Sequence, residues 1–162
     1  MIFTPHKLLI EAAVSAPPEY RVLLKPLEVV RGVLTEVEYH IRNIGEAPFP
    51  GGEISSIQYE FPSGMGQLTL TKGGTPVKVP SIDSGSEFSV SQPFEPRLSG
   101  ACTAHIKIKA ADGEKIEFFQ SEKGGALPGE EWQQTFWVVD REGLEHLRLL
   151  QRLVERTGGA AT

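Results

Sequence analysis

Val33-Leu34-Thr35-Glu36-Val37-Glu38-Tyr39-His40-Ile41-Arg42-Asn43 repeats with a period of two. Val33, Thr35, Val37, Tyr39 and Ile41 are β-branched or aromatic. The residues between them, Leu34, Glu36, Glu38, His40 and Arg42, are mostly charged. Successive side chains of a strand point to opposite faces, so this stretch reads as a strand buried on one side only.

The same period recurs on both sides. Ile57, Tyr59 and Phe61 alternate with Gln58 and Glu60. Cys102, Ala104, Ile106, Ile108 and Ala110 alternate with Thr103, His105, Lys107 and Lys109. Shorter strand-like runs lie at Gln67–Lys72, Pro76–Pro80, Ser86–Gln92 and Glu114–Gln120. Turn formers separate them, among them Asn43-Ile44-Gly45, Pro50-Gly51-Gly52, Asp83-Ser84-Gly85, Ser99-Gly100 and Asp112-Gly113. These residues supply the positive-φ and side-chain-bonded conformations of tight turns. Roughly seven short strands so punctuated predict an all-β sandwich. Leu8–Val14 and Tyr20–Val30 are candidates for added edge strands over residues 7–30, because Pro17, Pro18 and Pro26 suit an edge.

Beyond Pro128-Gly129 the pattern changes. Trp132, Gln134, Phe136 and Val138 alternate with Gln133, Thr135, Trp137 and Val139, which predicts a last strand covered on both faces. Asp140 is a plausible helix N-cap, and Leu144, Leu147, Leu150, Leu153 and Val154 follow at helical spacing, with Leu149 beside the stripe. The expectation is a sandwich over 1–139, then a C-terminal helix and frayed tail over 140–162.

Residues 31–113 resemble the immunoglobulin-like domains of the bacterial cell-adhesion-related (CARDB-like) type. The likeness is carried by Val37-Glu38-Tyr39-His40-Ile41-Arg42-Asn43-Ile44-Gly45, then Ile82-Asp83-Ser84-Gly85-Ser86, then Gly100, then the strand Ala104–Asp112. Ala101-Cys102-Thr103 stands where that pattern usually places an aromatic. The resemblance implies an immunoglobulin-like antiparallel β-sandwich, a bacterial or archaeal source, and a non-catalytic interaction or spacer module.

Composition bounds the function. Sixteen Lys and Arg against twenty-one Asp and Glu give a net charge of −5, without the basic stripe of a nucleic-acid binder. One cysteine excludes an internal disulfide and any multi-cysteine zinc site. No apolar run reaches about 18 residues, so no membrane span is expected. In the first residues Lys7 and Glu11 interrupt the apolar stretch, and Pro17 follows the small residues Val14-Ser15-Ala16. The expectation is no signal peptide and a cytoplasmic location; the alternative is a module excised from a secreted protein.

No catalytic, cofactor or metal constellation emerges. Cys102 and His105 are three apart on a strand and so face opposite ways, which makes Cys102 a small core residue. The histidines, His6, His40, His105 and His146, form no ligand-spaced pair. His40 and His105 are expected on opposite outer faces. Gly64-Met65-Gly66 and Lys72-Gly73-Gly74-Thr75 lack phosphate-loop spacing and read as hairpin turns. The candidate surface is Trp132, Trp137, Leu144, Leu147, Leu149, Leu150, Leu153 and Val154. The leading expectation is a non-enzymatic protein-interaction or scaffolding module, with a second copy of the chain as one partner. The alternative is a module that binds carbohydrate or peptide through loops or exposed aromatics. A third reading is an enzyme accessory domain.

Overall fold

The computed structural model describes residues 5–21, 23–61, 68–69 and 77–140, with Glu142, Gly143, His146, Leu149, Leu150, Arg152 and Leu153. Its elements are β1 (His6–Ser15), α1 (Pro18–Arg21), β2 (Glu28–Val30), β3 (Thr35–Asn43), β4 (Gly52–Glu60) and β5 (Leu68–Thr69), then β6 (Val77–Val79), β7 (Glu87–Phe94), β8 (Gly100–Ala110), β9 (Ile116–Phe119) and β10 (Trp132–Val139).

They form two sheets. One has the order β7-β3-β1-β9; the other has the order β2-β10-β8-β4-β5, with β6 also paired to β4. The central connectivity is that of an immunoglobulin-like sandwich, one sheet built on β1, β3 and β7 and the other on β4, β8 and β10. Two pairings run parallel, β1 with β9 and β2 with β10, where the sequence reading has antiparallel strands throughout.

Period-two alternation places the core. Val37, Tyr39, Ile41, Cys102, Ala104, Ile106 and Ile108 are all buried, joined by Ile54, Ile57, Tyr59, Phe94, Phe118, Trp132 and Phe136. Outward neighbours such as Lys107 and Lys109 are exposed. A one-residue slip in either strand would invert these sets, so the apolar row fixes the register.

Several details differ from the sequence reading. Leu8–Val14 is not an edge: β1 lies between β3 and β9. The chain leaves β8 through the turn at Ala111–Asp112 and crosses to the other sheet, where β9 covers one side of His6–Leu9. Tyr20–Val30 is not one strand. Pro18–Arg21 forms a helical turn, and only Glu28–Val30 pairs, at the sheet edge beside β10. Trp132–Val139 is covered on one face only, because Trp137 is 55% exposed. Of the expected C-terminal helix, Glu142, Gly143, His146, Leu149, Leu150, Arg152 and Leu153 are helical and exposed. Leu144, Leu147 and Val154 lie outside the described residues, so a continuous helix is not established. The glycine stretches at 64–66 and 72–75 also lie outside them.

Asn43 explains the Asn-x-Gly motif. Its side-chain amide donates to the carbonyls of Ala47 and Ile82, each at 2.9 Å, and its Oδ1 accepts from the Gly45 N–H at 2.9 Å. A buried amide with both ends satisfied thus ties the end of β3 to the segment before β7.

Candidate interaction surface

Two loops and the end of β10 meet at one end of the sandwich. The Gly32 N–H donates to the Pro96 carbonyl at 2.7 Å, and the Arg31 N–H to the Val139 carbonyl at 2.9 Å. The Arg31 guanidinium pairs with Asp140 at 3.1 Å. Val138 stands opposite Gly100, and Trp137 opposite Ala101. These bonds bring the 31–34 loop, the 95–99 loop and the end of β10 together. Each carries one large exposed apolar side chain: Leu34 at 63%, Leu98 at 38% and Trp137 at 55%.

Trp137 is open for a local reason. Alternation turns it away from the core, and its cross-strand neighbour Ala101 is too small to cover an indole. On its other side stands Glu28 of β2. Trp132 is different. It is wholly buried, edge-on to Tyr39 with ring centroids 5.7 Å apart, and belongs to the core and to no outer surface. Leu149 and Leu150 are exposed, as is Leu153.

Leu34 and Leu98 escape sequence reasoning. Leu34 falls on the charged face of the opening stretch, where one apolar residue among Glu36, Glu38 and Arg42 was the available signal. Leu98 sits between Pro96 and Gly100 with no periodicity to mark it.

The histidines do not converge. His6 bonds Asp112 at 2.8 Å and meets Phe49 edge-on at 5.2 Å. His40, on β3, bonds the Ser89 hydroxyl at 2.8 Å. His105, on β8 in the other sheet, is tied rather than open to solvent. Its Nδ1 lies 2.7 Å from Glu131, and its Nε2 3.1 Å from Glu60. Glu131 also accepts from the Gln133 amide at 2.9 Å. The Nδ1–Glu131 hydrogen bond fastens the segment before β10 to the sheet surface, while Nε2 lies beside Glu60 without hydrogen-bond geometry. Cys102 is buried, and burial pushes its thiol up to about 12, the opposite of a reactive thiolate. Among the described residues, no three His, Cys, Asp or Glu side chains gather as metal ligands, and no helix is long and apolar enough to cross a membrane.

No protein-family profile matches the chain, and no curated protein matches it. Solved structures similar to it include the CARDB domain of the PF1109 protein from Pyrococcus furiosus in complex with di-metal ions. That chain is 18% identical, with 86% of this chain and 93% of the other covered and a TM-score of 0.44. The solution structure of the same domain is 15% identical over 85% of this chain and 98% of the other, with a TM-score of 0.41. A family 123 glycoside hydrolase from Clostridium perfringens is 10% identical, covering 82% of this chain and 27% of the enzyme, with a TM-score of 0.38. By its own two-sheet topology the chain is an all-β sandwich.

Proposed function

We propose that the protein is a non-enzymatic interaction module that docks a protein partner on the end marked by Trp137. The observation that carries this reading is Trp137, 55% exposed on the outer face of β10 where its cross-strand neighbour Ala101 leaves it uncovered, with the exposed Leu98 in the loop that leads into β8. Tryptophan is enriched among the residues that dominate binding energy, and an uncovered indole on a sheet face offers an association surface. A second copy of the chain is the first partner to test, because Leu149 and Leu150 offer further exposed apolar surface in the segment that follows β10.

The two tryptophans make the test direct, since only Trp137 is open to a quencher. Light scattering over a concentration series gives the mass, and acrylamide quenching reports the exposure of Trp137. Association with shielding of Trp137, weakened about tenfold or more by Trp137→Ser, supports the reading. Association that leaves Trp137 fully quenchable overturns this surface. A monomer whose Trp137 is shielded only by an oligosaccharide replaces protein docking with carbohydrate binding.

A further inference from the structure

The pairing of β8 changes halfway along its length. β10 begins at Trp132, opposite Ile106. Beyond that point Lys107–Ala110 keep β4 on one side and, among the described residues, have no strand on the other. The Lys107 carbonyl accepts from the Ser55 hydroxyl at 3.2 Å, on the β4 side. Backbone groups of successive residues turn to opposite edges of a strand. Ile108 and Ala110 therefore turn theirs to the open side, where the Gly113 N–H takes the Ala110 carbonyl at 3.0 Å. The N–H and C=O of Ile108 and the N–H of Ala110 face a cleft of about 850 Å3. Its floor holds the buried Ile116 and Phe118 of β9, and its far wall is the Pro128–Glu131 segment.

Lysines on an edge strand commonly serve only to block pairing. Here they discriminate. If two copies paired antiparallel about Ile108, Lys107 of each would stand opposite Lys109 of the other, and like charges directly opposite are unfavourable. An acidic strand meets the reverse situation. We propose that this edge takes an added strand: an extended peptide, antiparallel to β8, with acidic side chains opposite Lys107 and Lys109 and an apolar one between them. The apolar side chain would lie over Ile108, Ile116 and Phe118, and the peptide backbone would bond the open groups of Ile108. Main-chain bonds supply affinity in such additions, and alternate side chains supply specificity. Glu114, Glu130 and Glu131 also line the cleft, with Lys115 beside them, so the acidic positions of the peptide are those of the outer face opposite Lys107 and Lys109. The site is distinct from the Trp137 end, since Ile108 lies seven residues along β8 from Ala101, about 23 Å.

The test uses the full ¹⁵N-labelled chain and a capped hexapeptide that alternates glutamate and valine. Binding should slow hydrogen exchange at the Ile108 amide by about tenfold or more at saturation. The same peptide with lysine for glutamate should bind about tenfold more weakly, the value of two opposed charge pairs. Methylating the valine amides should abolish binding. The double substitution Lys107→Glu and Lys109→Glu, both exposed, should lower the melting temperature slightly, because Glu53 of β4 stands opposite Lys109, and should reverse the preference between the two peptides. Trp137→Ser should leave peptide binding unchanged, which separates this site from the docking end. The proposal is overturned by no response at Ile108 at millimolar peptide, by a preference indifferent to the charge reversal, or by a dimer that protects Ile108 without peptide.

Discussion

Tyr39 and Tyr59 meet hydroxyl to hydroxyl, 2.5 Å apart, in the centre of the sandwich, one from each sheet. Both are fully buried, and one phenol donates while the other accepts. Tyr59 also stacks on Phe94 at 4.2 Å, so the pair is clamped by aromatic packing. Removing one hydroxyl orphans its partner in an apolar interior; removing both leaves no polar group unmatched. Tyr39→Phe and Tyr59→Phe should each cost about 1–2 kcal/mol. The double variant should cost less than their sum, as read by a double-mutant cycle in denaturant. Strict additivity would show that the contact contributes nothing.

Burial holds the Tyr39 phenol well above its ordinary value, holds Tyr59 above its own, and lifts the Cys102 thiol to about 12. The unfolded chain releases these protons first, the thiol near pH 8.5 and the phenols near pH 10. Above those values the folded state binds more protons than the unfolded one, so stability falls as pH rises. Each group contributes a fall of at most about 1.4 kcal/mol per pH unit, and the thiol's share levels off near its folded value. Urea titrations at pH 8, 9.5 and 11 should show a steepening loss, shallower in the double phenylalanine variant. Equal stability at pH 8 and 11 would contradict it.

Asn43 accounts for three hydrogen bonds at once: it donates to the Ala47 carbonyl and to the Ile82 carbonyl, which also takes the Phe49 N–H at 2.8 Å, and it accepts from the Gly45 N–H. Asn43→Ala should cost about 2–3 kcal/mol, from the lost bonds and from the Ala47 carbonyl left without this donor, while the Ile82 carbonyl keeps the Phe49 N–H. Asn43→Asp should cost at least as much, since a carboxylate cannot donate to the Ala47 and Ile82 carbonyls. Thermal melts of both variants check the order. An aspartate variant as stable as wild type would remove the amide from its assigned role.

The inward rows of β3 and β8 were legible because each has one apolar and one polar face, so Tyr39 and Cys102 could be assigned to the core from alternation alone. β10 was only half legible. Trp132, Phe136 and Val138 compete with Trp137 and Val139, and local pattern does not say which row meets the core. The central place of β1 was hidden for another reason. It depends on pairing with β9, more than a hundred residues on, while the nearby Pro17 and Pro18 point to an edge. The meeting of the 31–34 and 95–99 loops rests on the bond between Gly32 and Pro96, a tertiary contact with no local signature. The open edge of β8 likewise follows from where β10 begins.

The Asp112 carboxyl is held below its ordinary value, first by the Glu114 N–H and then by His6, 2.8 Å away. A depressed carboxyl stabilises the fold above its unfolded value, near pH 4, and that contribution is lost as pH falls through the lower folded value. Asp112→Asn should therefore lower stability at pH 6 and make little difference near pH 2. Because Asp112 is exposed, the effect should be small and reduced by salt. A difference that grows toward pH 2 would contradict the assignment.

Gly52 and Gly85 test two different demands on glycine. At Gly85 φ is +82° and an added Cβ meets nothing within 4 Å, so the constraint is conformational alone. At Gly52 an added Cβ would stand 1.9 Å from the Lys109 carbonyl oxygen, a main-chain atom of the neighbouring strand. Gly85→Ala should cost about 1–2 kcal/mol, the penalty of a left-handed conformation. Gly52→Ala must push β4 away from β8 at the start of their pairing, where Gly52 faces Ala110. Overpacking that no side-chain rotation relieves should cost about 3 kcal/mol or more. It should also loosen the lysine-bearing end of β8, so the β4-facing amides of Lys107 and Lys109 should exchange faster than in the wild type, while those at Cys102–Ala104 should be unchanged. Equal costs for the two alanine variants, or unchanged exchange at Lys107 and Lys109 in the Gly52 variant, would show that the close approach of these strands does not set the local stability.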